Sequence, residues 1–485
     1  MRKNIKTNYI FNVSYQILLM AVPIITAPYL SRVLGAEGIG KYSYAYAMVS
    51  YFTLLAVMGT STFGQRAVSY VQEDPVRRSE AFWETLTIRV MLAAITLCVF
   101  GLYLFRTDGE LQILAVSGLN ILNVVFDISW FLQGMEEFSK TVLRSFIFKI
   151  LQVAFIFLFI KTPDDLLLYV GGTSVLTVLG SVSLWVYLPR YIGAPRSIRP
   201  FRNMKTILEL FVPTIAIQIY TVLDKTMIGW FTDTSLENGY YEQAEKIVKM
   251  CMTVITALGT VMLPRMANTY KAKDTEKFRE YLYTSYRFVW FLGIPMLFGI
   301  IATSDLFTVI FFGEGFDKVK ILLPIFSFLV VIIPLGYVTG GQYLVAAGKQ
   351  NILSCITFTG AGVNVCLNLI LVPSLFSVGA AVSSVVAELC VTIFGFLYLK
   401  KYDRIKLSLI FRGSLGYWIS GFVMFIVLSV CRLVLKDGIM KLILLIITGG
   451  SIYFAGLWIL KDKFMMYIIS FVRRILTSRF HLFRK

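Results

Sequence analysis

The sequence predicts an all-α polytopic membrane protein, and three observations carry that reading. Apolar stretches of about 20 residues, each long enough to cross a hydrocarbon core of ~30 Å, recur from end to end. The composition agrees: 57% of the 485 residues are hydrophobic, 15% are charged and the mean hydropathy is +0.74. Basic residues also gather on alternate links between the stretches, as they do in proteins threaded back and forth through a bilayer.

Apolar length and flanking charge place about 14 helices. Their cores are residues 9–30, 42–63, 82–105, 111–133, 142–160, 166–188, 207–231, 240–263, 287–311, 321–345, 352–372, 378–399, 413–435 and 439–460. Residues 1–8 are basic, but the run after them is long enough to span, so it reads as a retained first helix and not a signal peptide. Of the 46 Lys and Arg, roughly 32 fall on the N-terminal side, about nine on the other and about five within spans. Both termini are therefore expected in the cytoplasm. The +18 net charge reads as this topology signal plus attraction to anionic lipid headgroups, not as nucleic-acid binding. The tail, residues 461–485, mixes basic and apolar residues at a spacing that suits an amphipathic helix on the inner surface.

Composition also excludes chemistry. The single histidine, His481, lies in the tail, so a histidine-based triad or zinc site is out. No phosphate-binding glycine loop is present. The six cysteines lie in apolar runs without metal-ligand spacing and read as free buried thiols. No metal, cofactor or enzymatic activity is expected.

The chain repeats itself weakly at an offset of about 200 residues. Gly40-Lys-Tyr-Ser-Tyr-Ala45 resembles Gly239-Tyr-Tyr-Glu-Gln-Ala244, and Gly59-Thr60 through Tyr70 aligns with Gly259-Thr260 through Tyr270. The offset covers six helices, an even number, so both halves keep one orientation, as in alternating-access transporters with a site between the halves. The expected organisation is an N-lobe at 1–190, a basic linker at 191–205, a C-lobe at 206–400, two further helices within 401–460 and the tail at 461–485. The two six-helix lobes are expected to enclose a central cavity.

Polar residues inside the spans fall in stripes at helical spacing. The first helix carries Asn8, Asn12 and Gln16; the fourth Asn120, Asn123 and Asp127; the fifth Ser145, Lys149 and Gln152; the seventh Thr214, Gln218, Thr221 and Lys225; the eleventh Asn364 and Asn368. Such faces must meet one another or a wet cavity, because an unpaired polar group in hydrocarbon costs several kcal/mol. Arg89, Asp127, Lys149, Asp224, Lys225 and Glu388 are ionisable within spans, which usually marks a pathway or an internal pair. Arg89 and Lys149 could instead snorkel. Adjacent Asp224 and Lys225 point about 100° apart and so take different partners. If several cations meet in one cavity, its ligand is anionic. The expected substrate-binding set is therefore Arg89, Lys149, Lys225, Gln16, Asn12, Gln218 and Asn364. Asp127, Asp224 and Glu388 form a coupling or ion-pair set, and Arg32, Arg66 and Arg265 form a gate or headgroup set. Pro23 and Pro213 offer bending points.

Several segments resemble bacterial polysaccharide flippases of the Wzx type, within the multidrug/oligosaccharidyl-lipid/polysaccharide exporter superfamily. Pro28 to Tyr42 resembles that family's loop after the first helix. Leu223 to Gly229 with Gly239 to Tyr241 resembles its seventh helix and following turn. Phe312 to Phe316 resembles the loop after the ninth helix, and Gly362 to Pro373 with Gly379 to Ala381 and Glu388 resembles helices eleven and twelve. The resemblance implies flipping of an undecaprenyl-diphosphate-linked oligosaccharide between the leaflets of the bacterial cytoplasmic membrane. It also implies a cationic cavity, an H+ or Na+ gradient as energy source and a neighbouring polysaccharide polymerase machinery. The related lipid II flippases carry an Arg–Asp pair in the first helix that this sequence lacks, which points to an O-antigen, capsule or exopolysaccharide unit. The alternatives are a cation-coupled drug exporter of the same superfamily and, with less support, a membrane glycosyltransferase or polymerase.

Overall fold

A computed structural model describes residues 5–107, 110–195, 197–403, 405–434, 438–467 and 469–470, and they contain no strand. The chain runs α1 (Ile5–Val57), α2 (Thr60–Tyr70), α3 (Pro75–Phe105), α4 (Leu111–Ser117), α5 (Leu119–Phe126), α6 (Ser129–Gly134), α7 (Phe138–Phe159) and α8 (Leu166–Ser183). It continues through α9 (Met204–Phe231), α10 (Leu236–Lys271), α11 (Thr275–Phe312), α12 (Val319–Ser327), α13 (Leu329–Tyr337), α14 (Gln350–Lys401), α15 (Leu407–Phe411), α16 (Ser414–Val434) and α17 (Ile439–Ile459). Among the described residues, 11 helical stretches are long and apolar enough to cross a membrane, so the protein is a multi-pass membrane protein. Their outward faces carry exposed Leu102, Leu158, Ile370 and Leu433, as lipid contact allows. Most of the basic amphipathic tail, including His481, lies outside the described residues.

Two helices, α1 with 53 residues and α14 with 52, are more than twice the ~20 residues a bilayer needs, and each contains a backbone break. In α1 the break is Gly35, at φ 66 and ψ 177; in α14 it is Phe376, at φ 52 and ψ −125. The segment around Pro28 to Tyr42, expected as a loop, is helical on both sides of Gly35. One residue is enough to redirect the chain, because glycine carries no Cβ to oppose a positive φ. The backbone break in α1 falls at Gly35, 12 residues after Pro23, which lies inside the helix. The fourth expected span is interrupted, running as α4, α5 and α6. Of the six unpaired cysteines, expected to be buried, Cys98, Cys355 and Cys366 are exposed.

By packing, the chain forms two units, Met1–Glu242 with Asn368–Ala380, and Gln243–Leu367 with Ala381–Lys485. In the second unit α11 is the central helix. Its buried aromatics are fixed by hydrogen bonds: Tyr286 with the Thr339 hydroxyl at 2.8 Å, and Trp290 to the Ile410 carbonyl at 3.2 Å. Tyr453 of α17 donates to the Phe291 carbonyl at 2.9 Å, so the two last helices are part of this core.

In the first unit the repeated glycines touch. A Cβ built on Gly40 would lie 1.7 Å from the Ser235 carbonyl oxygen, and one on Gly239 would lie 2.0 Å from the Ala36 carbonyl oxygen. The Ser43 hydroxyl donates to Glu242 at 3.0 Å, across a separation of 199 positions. Gly40 and Gly239 are separated by the same 199, as are Ala36 and Ser235. The contact thus reads the same from either copy of the repeat, as around a two-fold axis. Only glycine lets two backbones approach this closely.

Candidate functional site

The first unit holds a cavity of about 300 Å³ lined by Tyr46, Val49, Ser50, Thr53, Leu54, Val57, Asn120, Asn123, Thr214 and Gln218. Three helices supply the polar groups. α5 and α9 contribute the stripes that the sequence marked on the fourth and seventh spans. The third face, Tyr46, Ser50 and Thr53 on α1, escaped the sequence reading. Its i, i+4, i+7 spacing was the available signal, masked by the apolar residues between. Asn120 reaches across to α8, donating to the Ser174 hydroxyl at 3.2 Å and to the Ser117 carbonyl at 2.9 Å.

Charged residues stand apart from this cavity. Lys225 of α9 pairs with Glu242 of α10 at 2.6 Å, both largely shielded from solvent. The two residues lie at equal distances from the bend at 233–234, so the antiparallel register of α9 and α10 brings them together. Asp224 points elsewhere, as its 100° offset requires. It is buried and accepts hydrogen bonds from the Tyr241 hydroxyl and the Asn368 amide. Glu242 was not marked as a partner in the sequence; its symmetry about the turn would have found it.

Arg89 of α3 is 1% exposed. It donates to the Asp127 backbone carbonyl at 3.1 Å and to the Ser61 hydroxyl at 3.4 Å, and lies 5.9 Å from the Trp130 ring centroid. Asp127 itself ends α5, and its carboxylate accepts the Ser129 amide at 3.0 Å, the first residue of α6, with Arg144 at 3.8 Å. Arg89 therefore braces the interruption between α5 and α6. Replacing it by leucine is expected to cost about 3 kcal/mol, since a buried carbonyl loses a charged donor. Lysine should not rescue it, lacking the guanidinium fork. Thermal melting of the purified variants checks this; normal melting with lost transport would instead assign Arg89 to ligand handling.

Lys149 donates to Gln152 at 3.0 Å, and Gln152 donates on to Thr177 of α8 at 3.0 Å. Arg89, Lys149 and Lys225 thus have separate partners, and no charged residue lines the cavity among the described residues. Gln218 lines it; the side chains of Asn12 and Gln16 lie outside the described residues. Asn364 is buried and Glu388 half-buried on α14, in the second unit. Arg32, Arg66 and Arg265 are exposed.

A family profile described as polysaccharide biosynthesis protein matches residues 5–270, and a second, described as MatE, matches residues 210–370. A Shigella dysenteriae protein that carries the name of an O-antigen transporter is 22% identical over 383 residues, covering 77% of this chain and 94% of that protein. Among solved structures, the lipid II flippase MurJ in an inward closed conformation superposes with a TM-score of 0.71 at 14% identity, covering 94% of this chain and 98% of that one. An inward-facing multidrug resistance MATE family transporter of the MOP superfamily gives 0.60 at 14% identity, covering 81% and 99%. These likenesses show the fold, an all-α bundle of the kind the hydropathy predicts.

Proposed function

Because the chain belongs to the polysaccharide biosynthesis protein family, we propose that it is a flippase and not an enzyme. Its cargo is a polyprenyl-diphosphate-linked oligosaccharide, carried from the inner to the outer leaflet of the bacterial cytoplasmic membrane with both termini in the cytoplasm. The units feed synthesis of O-antigen, capsule or exopolysaccharide. The observation that carries this reading is the cavity in the first unit, walled by hydroxyls, amides and one tyrosine inside an apolar bundle. A sugar head cannot cross hydrocarbon unaided, whereas its polyprenyl tail never needs to leave it. A polar slot flanked by lipid meets both needs. The two halves of the repeat act as lobes that open alternately to either side, and the buried Asp224 is the group best suited to couple that motion to an H+ or Na+ gradient. Anionic lipids bind the basic inner surface, and the polymerase machinery receives the product.

The test is complementation of a flippase-deficient bacterium. Gln218→Leu and Asn123→Leu should each reduce surface polysaccharide at least about tenfold at unchanged protein amount, because each leaves a polar ligand group unmatched. Undiminished polysaccharide in both would remove the cavity from the transport path. The MatE match at residues 210–370 favours a drug exporter as the second reading, and raised tolerance of cationic dyes without polysaccharide rescue would select it.

A further inference from the structure

In the second unit, the hairpin between α10 and α11 forms one wall of a cavity of about 620 Å³. Its floor is aromatic: Phe278 is buried, with the Tyr270 and Tyr343 ring centroids 5.5 and 5.1 Å away. Its rim is charged. Lys271, Lys273 and Arg279 line it, are exposed and have no ion-pair partner among the described residues. Two carboxylates line it as well, and both are committed. Asp274 caps α11, accepting the Lys277 amide at 3.0 Å, and Asp403 pairs with Lys349. Four cations thus face two carboxylates. The other copy of the repeat is built differently. There Asp74 caps α3 in the same way, accepting the Val76 and Arg77 amides at 3.0 and 3.1 Å. Yet Val71, Glu73 and Ser79 stand where the second copy has Lys271, Lys273 and Arg279. Arg78, in the place of Phe278, donates to the Tyr191 carbonyl at 2.7 and 3.0 Å, and the Ser79 hydroxyl accepts the Gly193 amide at 3.0 Å. One hairpin is tied to the chain beyond α8; its counterpart carries cations around a pocket.

We infer that this pocket binds the phosphate end of a membrane lipid. Lys271, Lys273 and Arg279 take the phosphate oxygens, the arginine with its planar fork and the lysines as point charges. The first apolar carbons of the lipid lie against the floor of Tyr270, Phe278 and Tyr343. An organic cation would meet an excess of like charge at this rim, and a neutral sugar would leave that excess without a counter-charge. That the ligand is a lipid follows from place. The pocket sits where α10 ends, α11 begins and α14 has just ended, at the level where membrane-spanning helices meet headgroups. Two lipids share the required chemistry: an anionic phospholipid and a polyprenyl diphosphate. The site does not depend on the flippase reading, because its evidence is a pocket in the second unit and its test is binding.

The experiment is native mass spectrometry of the full chain in detergent, with phosphatidylglycerol, polyprenyl diphosphate or phosphatidylcholine added in turn. The wild-type chain should retain at least one of the two anionic lipids about tenfold or more above phosphatidylcholine. Preference for phosphatidylglycerol identifies bulk lipid as the occupant, and preference for polyprenyl diphosphate identifies the carrier. The triple variant Lys271→Gln/Lys273→Gln/Arg279→Gln should lose that excess. Its side chains are exposed, so it should melt like the wild type. A second triple variant, Lys400→Gln/Lys401→Gln/Lys463→Gln, removes as many exposed charges outside the pocket and should keep the excess. Equal losses in the two triple variants would reduce the binding to diffuse surface attraction and overturn the inference. So would equal retention of all three lipids by the wild-type chain, or full displacement of the bound lipid by millimolar inorganic phosphate, which would show that the lipid stem contributes nothing. The wild-type preference and the phosphate competition decide the matter even if a variant fails to fold.

Discussion

Lys225→Met is expected to destabilise the folded chain by about 3–5 kcal/mol, because it removes the cation paired with a shielded carboxylate. Glu242 lies 2.6 Å from the ammonium and accepts the Ser43 hydroxyl at 3.0 Å, and a neutral donor does not offset a charge in a low-dielectric interior. Glu242→Leu should cost a similar amount by removing the anion paired with the shielded lysine. The double variant Lys225→Met/Glu242→Leu should recover most of the loss, since apolar groups of similar volume replace a shielded pair at little cost. Melting curves of the three variants in detergent form a double-mutant cycle. Additive losses would show that the two residues do not act as a pair.

The second large effect is expected at the repeated glycines. Gly40→Val and Gly239→Val should each abolish accumulation of folded protein, and alanine should lower the melting temperature in both. The first added carbon at Gly40 would overlap the Ser235 carbonyl at 1.7 Å, and at Gly239 the Ala36 carbonyl at 2.0 Å. Both obstacles are backbone, which cannot rotate away as a side chain can, so the two segments must part. Overpacking of this kind costs about 1–3 kcal/mol or more. Gly362 is the control: nothing lies within 4 Å of its added carbon, and Gly362→Ala should melt like the wild type. Equal behaviour at all three positions would refute the close approach.

These two sites also show how far the sequence reaches. The glycines were visible as a repeat, since Gly40 to Ala45 and Gly239 to Ala244 share a pattern. That they touch was not visible, because a one-dimensional offset carries no distance. The divergence of Asp224 and Lys225 followed from helical geometry alone, yet their partners did not. Tyr241 and Glu242 are brought in by the α9–α10 turn, while Asn368 arrives from a segment 144 residues away. Arg89 was flagged as a costly intramembrane cation. Its role as a brace became apparent only when the interruption at Asp127 put a free carbonyl within its reach.

The cavity divides in the same way. Its α5 and α9 walls were legible as polar stripes, since an amide in hydrocarbon must find a partner whatever the fold. Its charge was not: the expectation of a cationic chamber came from counting buried cations, and counting cannot say where each side chain spends its charge. The sequence by itself determined that this chain lives in a bilayer as a helical bundle with an internal repeat, because hydrophobic length and periodicity are properties of contiguous residues. The tertiary structure decided which polar groups cancel one another and which remain open to a ligand. Hydrogen bonds and ion pairs act within ~3–4 Å, and only the fold sets which distant residues come that close.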